Sequence, residues 1–346
     1  MMDNSNHVFV IAEAGSNWKC GSYEDDLERS KSMIRIAKDA GADAIKFQTY
    51  KSETTYAQNA GSSEYLKDFG IDQEINELIS YLSMPYEMIS QLAKYCEEIG
   101  IPFMSSPFSV RDAQEIDPYV KIHKIASFEI NHIRLLEFLA QTKKPILLST
   151  GASTYDEIKF AITLLKKHGN TDLTLLQCTS SYPCPIDAMN LSAIPDLIDH
   201  YGLSLGLSDH SIHPTIAPIM AIGFGARVIE KHFTLDKNFS GPDHKFALNP
   251  IELKEMISTI RESEKTIGSG TKTVLPEEME LRNFAKRSLQ AIKNISKGEI
   301  LHEGINFDIL RPGNNIQGIA PRFIDKIEGK KAKKDYVLGE GILESE

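Results

Sequence analysis

The chain has no apolar run long enough to cross a bilayer, which excludes a transmembrane helix. Its opening residues, MMDNSNHVFVIAEAG, lack the basic start and small-residue cleavage site of a secretory leader. Cysteine is scarce. Cys20, Cys96, Cys178 and Cys184 form neither a CxxC pair nor a zinc spacing, so packing thiols in a reducing, cytoplasmic setting are expected. No GxxxxGK[ST] loop is present, and no GxGxxG follows the first strand-like run, which disfavours nucleoside triphosphates and NAD. Positive charge is also in deficit: 38 Lys and Arg stand against 48 Asp and Glu, a net charge of −10. Nucleic acid is therefore not the expected partner, because the usual basic footprint is missing.

Present instead is a strand-then-helix rhythm. Strand-like runs occupy 8–14, 43–48, 101–105, 119–126, 145–149, 172–178, 203–207 and 226–231. Amphipathic stretches at 24–40, 85–99, 154–168 and 250–267 lie between or after them. Alternating strands and helices imply a parallel sheet, and eight such units in about 250 residues fit a closed (β/α)₈ TIM barrel of the α/β class. The longest irregular insert, 50–72, follows the second strand, where a barrel places active-site loops. Past residue 268 the pattern changes. The expected organisation is a barrel over 1–267, a linker over 268–284 leading into a short helix, and a small β-rich domain over 285–346.

A barrel carries its chemistry at the C-terminal ends of its strands. Here these ends deliver Glu13, then Lys46 and Gln48, then Ser105 and Ser106, then Lys124, Ser127 and Glu129. Ser149 and Thr150, then Gln177, Thr179 and Ser180, then Ser208, Asp209 and His210, and finally Lys231 and His232 complete the circuit. One such serine is ordinarily a turn or helix cap; the recurrence on every strand points to a ligand site. Residues two apart share a strand face, which groups Ile11 with Glu13, Lys46 with Gln48, and Val228 and Glu230 with His232. His210 and His232 end neighbouring strands, which lie ~5 Å apart. The two imidazoles suit one shared divalent ion with open positions; hydrogen-bonding histidines are the alternative. His213 is a weaker metal candidate, and His200 sits near a helix end. Lys46, Lys124 and the hydroxyls suit a small anion bearing one phosphate and one carboxylate.

The motifs IAEAGSN (11–17), AIKFQT (44–49), FMSSPFS (103–109), KIASFEI (124–130), LLSTGAS (147–153), LLQCTSSYP (175–183), GLSDHS (206–211), VIEKHF (228–233) and GPDHK (241–245) follow one another along the chain. With these motifs the sequence resembles the sialic acid (nonulosonate) synthases, and its tail, with LRPGNNI at 310–316, resembles their antifreeze-like SAF domain. The resemblance implies a transferase that joins phosphoenolpyruvate to an N-acylated amino-sugar aldehyde and releases phosphate by C–O cleavage. It places phosphoenolpyruvate on Lys46, Ser106, Lys124, Ser127, Ser149 and Ser208, and the sugar near Gln48, Tyr182 and Asp243. Glu13 and Glu129 become the acid–base and positioning candidates, and His210 and His232 the metal ligands. The implied metal is Mn²⁺, which the imidazole donors favour over Mg²⁺, with Co²⁺ a further possibility. Arg311 matches the residue that, in this family, reaches the partner subunit's sugar site, which implies a domain-swapped homodimer.

Four departures accompany the resemblance. Asn17-Trp18-Lys19-Cys20-Gly21 stands where N-H-N-G is usual, Ser106 where Thr is common, Gln177 where His is common, and RPGNNI in place of RPGTGI. They leave the acceptor open among N-acetylmannosamine, a 2,4-diacetamido-2,4,6-trideoxy hexose and a 6-phosphate, with a lean toward the deoxy diacetamido sugar. The competing readings are another metal-dependent phosphoenolpyruvate aldol-type synthase, which would generally lack the tail domain, and a non-catalytic sugar- or metal-binding homologue.

Overall fold

A computed structural model describes residues 7–67 and 70–343. Eight parallel strands form one sheet: β1 Phe9–Gly15, β2 Ala44–Thr49, β3 Phe103–Pro107, β4 His123–Ile125, β5 Ile146–Ser149, β6 Leu173–Cys178, β7 Ser204–Asp209 and β8 Val228–His232. Their order is β3-β2-β1-β8-β7-β6-β5-β4, so the last strand pairs with the first. β3 and β4 lie against each other at the seam, which makes the sheet a nearly closed barrel. The expected (β/α)₈ barrel is what the chain forms.

The strand alternation sets the layers. Ile11, Ala44, Met104, Leu147, Leu176 and Val228 point inward and fill the lower barrel with their own apolar cluster. The residues between them face the helices and join the main core with Ile45, Leu148, Leu175 and Ile229. Gly206 is glycine because the interior is full: a Cβ there would lie 2.5 Å from Val228 O and 2.6 Å from Leu176 Cδ2.

Local capping sets where the helices begin. Thr154 caps the helix Tyr155–Lys167 in a capping box with Glu157. Asn249 does the same for Pro250–Thr266, with proline at the first helical position. The last barrel helix is tied to the base of β1 by Arg261, which bonds Val8 O at 2.8 Å and Asp43 Oδ2 at 2.6 Å. The amide of Val10 takes the same Asp43 oxygen at 2.8 Å.

Two expectations change. β4 is only three residues, because Asp117–Tyr119, with its proline at the start, forms a 3-10 turn instead of extending the strand. The insert after β2 is also more ordered than an irregular loop. It runs on to the helix Ile75–Leu82 and packs Leu66, Ile75, Leu78 and Leu82 on Tyr50 in a small core of its own.

Contacts divide the chain at Gly268 and Ser269. The second unit contains the short helix Met279–Ala285 and the antiparallel pair β9 Ser288–Ala291 and β10 Phe307–Leu310. Leu289, Ile295, Leu301, Phe307, Tyr336 and Ile342 form its core. Arg311, exposed, follows β10 directly. No helix among the described residues is long and apolar enough to cross a membrane.

Candidate active site

The upper barrel replaces the apolar layer with charge. Glu13 stands opposite Lys46 on β2 and opposite His232 on β8. Lys46 Nζ lies 2.6 Å from Glu13 Oε2 and 3.6 Å from Glu230 Oε2, and donates to Ser106 Oγ at 3.1 Å. Lys124 Nζ sits 3.6 Å from Glu230 Oε1, which also accepts from Ser208 Oγ at 3.0 Å. Gln48 Nε2 donates to Glu13 Oε1 at 3.1 Å. The two lysines and two carboxylates are all buried.

Burial decides how these groups titrate. It pushes Glu13 up to about 7, even with the Lys46 ammonium beside it. Burial works against Glu230 too, but Lys124 and Lys46 together outweigh it and hold this carboxyl below its usual range. Lys124 is pulled down by burial, which Glu230 only partly offsets. Glu129, in the turn Ser127–Glu129 after β4, is raised to about 7 by burial. Both carboxyls are thus raised toward neutral pH, where a carboxyl can both give and take a proton.

One cavity of about 190 Å³ is lined by Glu13 and by every residue that the resemblance assigns to phosphoenolpyruvate, sugar or metal except Arg311. Lys46, Ser106, Lys124, Ser127, Ser149 and Ser208 line it together with Gln48, Glu129, Tyr182, His210, His232 and Asp243. Ile75, Leu78, Ile79 and Leu82 of the insert, with Phe108 and Phe128, add an apolar side. Arg311 belongs to the second unit. Several buried polar atoms at this mouth have no hydrogen-bond partner among the described residues: Ser149 Oγ, Ser180 Oγ, Glu129 Oε2 and His232 Nδ1. Each such atom costs about 1–3 kcal/mol if left unmet, so their gathering marks a place built for a polar ligand. Backbone shape agrees. A Cβ on Gly151 would fall 2.2 Å from Ser180 Oγ and 2.8 Å from Ser127 Oγ. Gly15, at φ +52°, would press a Cβ to 2.9 Å from Asp243 Oδ2.

The histidine pair meets the test for a metal in part. The His210 and His232 rings lie 5.5 Å apart, with Tyr182 4.3 Å from His210. His210 Nδ1 bonds Thr179 O at 2.9 Å, which leaves Nε2 for a ligand. Burial, then the neighbouring His210, holds His232 well below its usual pKa, so it is neutral and ready to donate. Its Nδ1 lies 3.6 Å from Asp243 Oδ2. Burial opposes charge on His210, but Cys178, whose sulfur is 3.8 Å away, with the Thr179 carbonyl and Asp209, raises its pKa. Among the described residues no group of three or more His, Cys, Asp or Glu is placed to hold an ion. Two imidazoles alone would leave most positions of any ion to substrate or water.

Some sequence readings are reassigned. Lys231 and Asp209 turn away from the cavity and pair with each other at 2.5 Å. His213 caps the following helix, accepting from the amides of Thr215 and Ile216. Gln177 is buried and donates to Met189 O at 3.3 Å, so that departure shapes the loop after β6 and not the cavity. Trp18 is buried in the main core, and Asn17 Nδ2 bonds Phe233 O at 2.9 Å. Two groups were missed. Glu230 was visible as a face-mate of His232, but its place between two lysines needs the barrel to close. Cys178, read as packing, touches Ser127 Oγ at 3.5 Å as well as His210.

Comparison with known proteins agrees with this geometry. Residues 33–272 match the NeuB family and residues 286–346 the SAF domain. The pseudaminic acid synthase of Campylobacter jejuni serotype O:23/36 is 39% identical, over 98% of this chain and 96% of its own. The N,N'-diacetyllegionaminic acid synthase of Campylobacter jejuni serotype O:2 is 38% identical, over 96% and 99%. The crystal structure of N-acetylneuraminic acid synthetase from Leptospira borgpetersenii superposes with a TM-score of 0.70 at 33% identity, over 80% of this chain and 92% of that one. With a family match over most of the barrel and relatives aligned nearly end to end, the chain belongs to the NeuB family and carries a C-terminal SAF domain.

Proposed function

We propose that this enzyme condenses phosphoenolpyruvate with the open-chain aldehyde of an N-acylated amino sugar, forming a nonulosonate and free phosphate. The observation that carries this reading is the charge layer at the barrel mouth, where Lys46 and Lys124 are held by Glu13 and Glu230 beside buried, unmet hydroxyl and carboxyl atoms. The lysines and the hydroxyls of Ser106, Ser127, Ser149 and Ser208 bind the phosphate and carboxylate and stay in place as charge shifts. Gln48, Tyr182 and Asp243 hold the sugar with its aldehyde toward the two imidazoles. C3 of phosphoenolpyruvate bonds to the aldehyde carbon, and the aldehyde oxygen gains a proton. Water adds at C2 and gives up one proton, and the hydroxyl it leaves there gives up the second as phosphate departs with its bridging oxygen and the keto group forms. Glu13 and Glu129 are the carboxyl groups that give and take these protons. A divalent ion on His210 and His232, Mn²⁺ by its donors with Mg²⁺ or Co²⁺ as substitutes, would supply Lewis-acid polarisation of the aldehyde oxygen.

The reading extends to assembly. Arg311, exposed after β10, contacts the N-acyl group in the partner's barrel of a domain-swapped homodimer. The four free cysteines suit the cytoplasm. The deciding experiment measures phosphate release from phosphoenolpyruvate with Mn²⁺ and N-acetylmannosamine, its 6-phosphate, or 2,4-diacetamido-2,4,6-trideoxy hexoses. Release with one of these sugars, lost in EDTA, is expected. Absence of release with all of them sinks the proposal in favour of a binding protein.

A further inference from the structure

His232 ends β8, and His210 follows the last residue of β7. The residue before each, Lys231 and Asp209, faces away from the cavity on the helix side. These two are register partners, and the β7–β8 ladder stops with them. β8 is held further on its other side, where His232 pairs with Glu13 of β1. His210 has no such strand partner among the described residues; its carbonyl oxygen accepts from the Cys184 amide at 2.9 Å. Side chains carry the connection past the ladder. Lys231 Nζ donates to Asp209 Oδ2 at 2.5 Å, to Ser211 O at 2.6 Å and to Ser211 Oγ at 3.2 Å. Asp209 Oδ1 accepts from the Ser211 amide at 2.7 Å. Both residues flanking His210 are thereby fastened to the residue that precedes His232.

Stability alone does not call for a charged pair here. One step down the same strand faces, Leu207 and Ile229 are register partners too, and both belong to the apolar main core. An apolar pair at 209 and 231 would extend that layer. Lys231 and Asp209 are instead each 1% exposed, and taking both charges out of water costs about as much as their attraction returns. What the charged pair adds over an apolar one is direction. Four hydrogen bonds among Lys231, Asp209 and Ser211 fix the backbone on both sides of His210, and so the aim of its imidazole.

We propose that Lys231 and Asp209 are positioning residues, a clamp that sets His210 against His232 so that both imidazoles serve one ligand. This rests on the proposed function, in which the two histidines hold a divalent ion. The ring centroids stand 5.5 Å apart. Residues 210–215 form neither helix nor strand, so without the clamp they can carry His210 off its position, and an ion that needs both rings loses one. Lys46, Ser106, Lys124 and Ser149 stand on β2, β3, β4 and β5 and are untouched by that movement.

The test is Mn²⁺ binding to the full-length, metal-stripped protein by calorimetry, with no substrate present. The native chain should bind the ion, and His210→Ala should abolish the site. Asp209→Leu combined with Lys231→Met should melt at or above the native temperature, yet bind Mn²⁺ more weakly by about tenfold or more. In phosphate release its kcat should fall by about tenfold or more, while KM for phosphoenolpyruvate stays within about twofold. Lys231→Gln keeps one donor toward Asp209 without the charge. It is the milder variant should the double one not fold, and it should lose affinity by about threefold or more. Native Mn²⁺ affinity in either variant overturns the inference and leaves the metal reading standing. So does a rise in KM for phosphoenolpyruvate that matches the loss of Mn²⁺ affinity, since the pair would then support the whole barrel mouth. No Mn²⁺ binding by the native chain removes the metal reading, and the inference with it.

Discussion

Lys46 and Glu13 face each other across adjacent strands at 2.6 Å, both buried, and neither reaches bulk water. The pair stays together because Lys46 also answers Glu230 at 3.6 Å. Lys46→Met should therefore do two things. Phosphate release should fall by about a hundredfold or more, the usual loss when a preorganised charge is removed. Glu13 would also lose its counter-ion, while Glu230 keeps Lys124, a change that costs about 3–5 kcal/mol when Glu13 must ionise. Protonation relieves that cost, so the drop in melting temperature should be larger at pH 8 than at pH 6. An equal drop at both pH values would refute this account.

Glu129 has the opposite relation to pH. Burial raises its folded pKa to about 7, above its value in the unfolded chain. Between roughly pH 4.5 and 7 the folded state holds the proton that the unfolded state has lost, so stability falls as pH rises through that window. Glu129→Gln should remove this fall and stabilise the protein at pH 8 by about 2–3 kcal/mol. Turnover should drop by about a hundredfold. Chemical denaturation at pH 5 and pH 8 reads the first effect, and phosphate release the second.

Gly151→Ala tests the proposed phosphoenolpyruvate site without touching a charge. The added methyl would collide with Ser180 Oγ and Ser127 Oγ, and would lie 2.9 Å from Cys178 Sγ. KM for phosphoenolpyruvate should rise at least tenfold while the sugar KM changes little. Equal changes in both would place the glycine outside the phosphoenolpyruvate site.

Subunit exchange tests Arg311. Lys124→Ala and Arg311→Ala should each be nearly inactive alone. Co-expressed and purified together, they should recover about a quarter of native activity, since half of the dimers would be mixed and each would hold one intact site. Recovery no greater than that of the single variants would show that Arg311 serves its own barrel or none.

Much of this was legible in the chain. Strand alternation placed Glu13, Lys46, Gln48 and His232 at the barrel mouth, because period two and parallel order leave each strand end one place to go. Capping at Thr154 and Asn249 was readable because it depends on near neighbours. The insert was read too short, since its helix Ile75–Leu82 is held by packing on Tyr50 and Phe108, which no local pattern reports.

What the sequence by itself determined is the barrel, the ordered motifs and the set of side chains able to hold an anion beside two imidazoles. These follow from periodicity and residue chemistry. Tertiary structure alone decided which polar residues work together. It put Glu230 between Lys46 and Lys124, turned Lys231 away onto Asp209, and set Cys178 against His210. It also lifted Glu13 and Glu129 to about 7. The reason is that burial and charge pairing act through space. A carboxyl's proton affinity depends on what closes over it, and that is settled only when β8 meets β1.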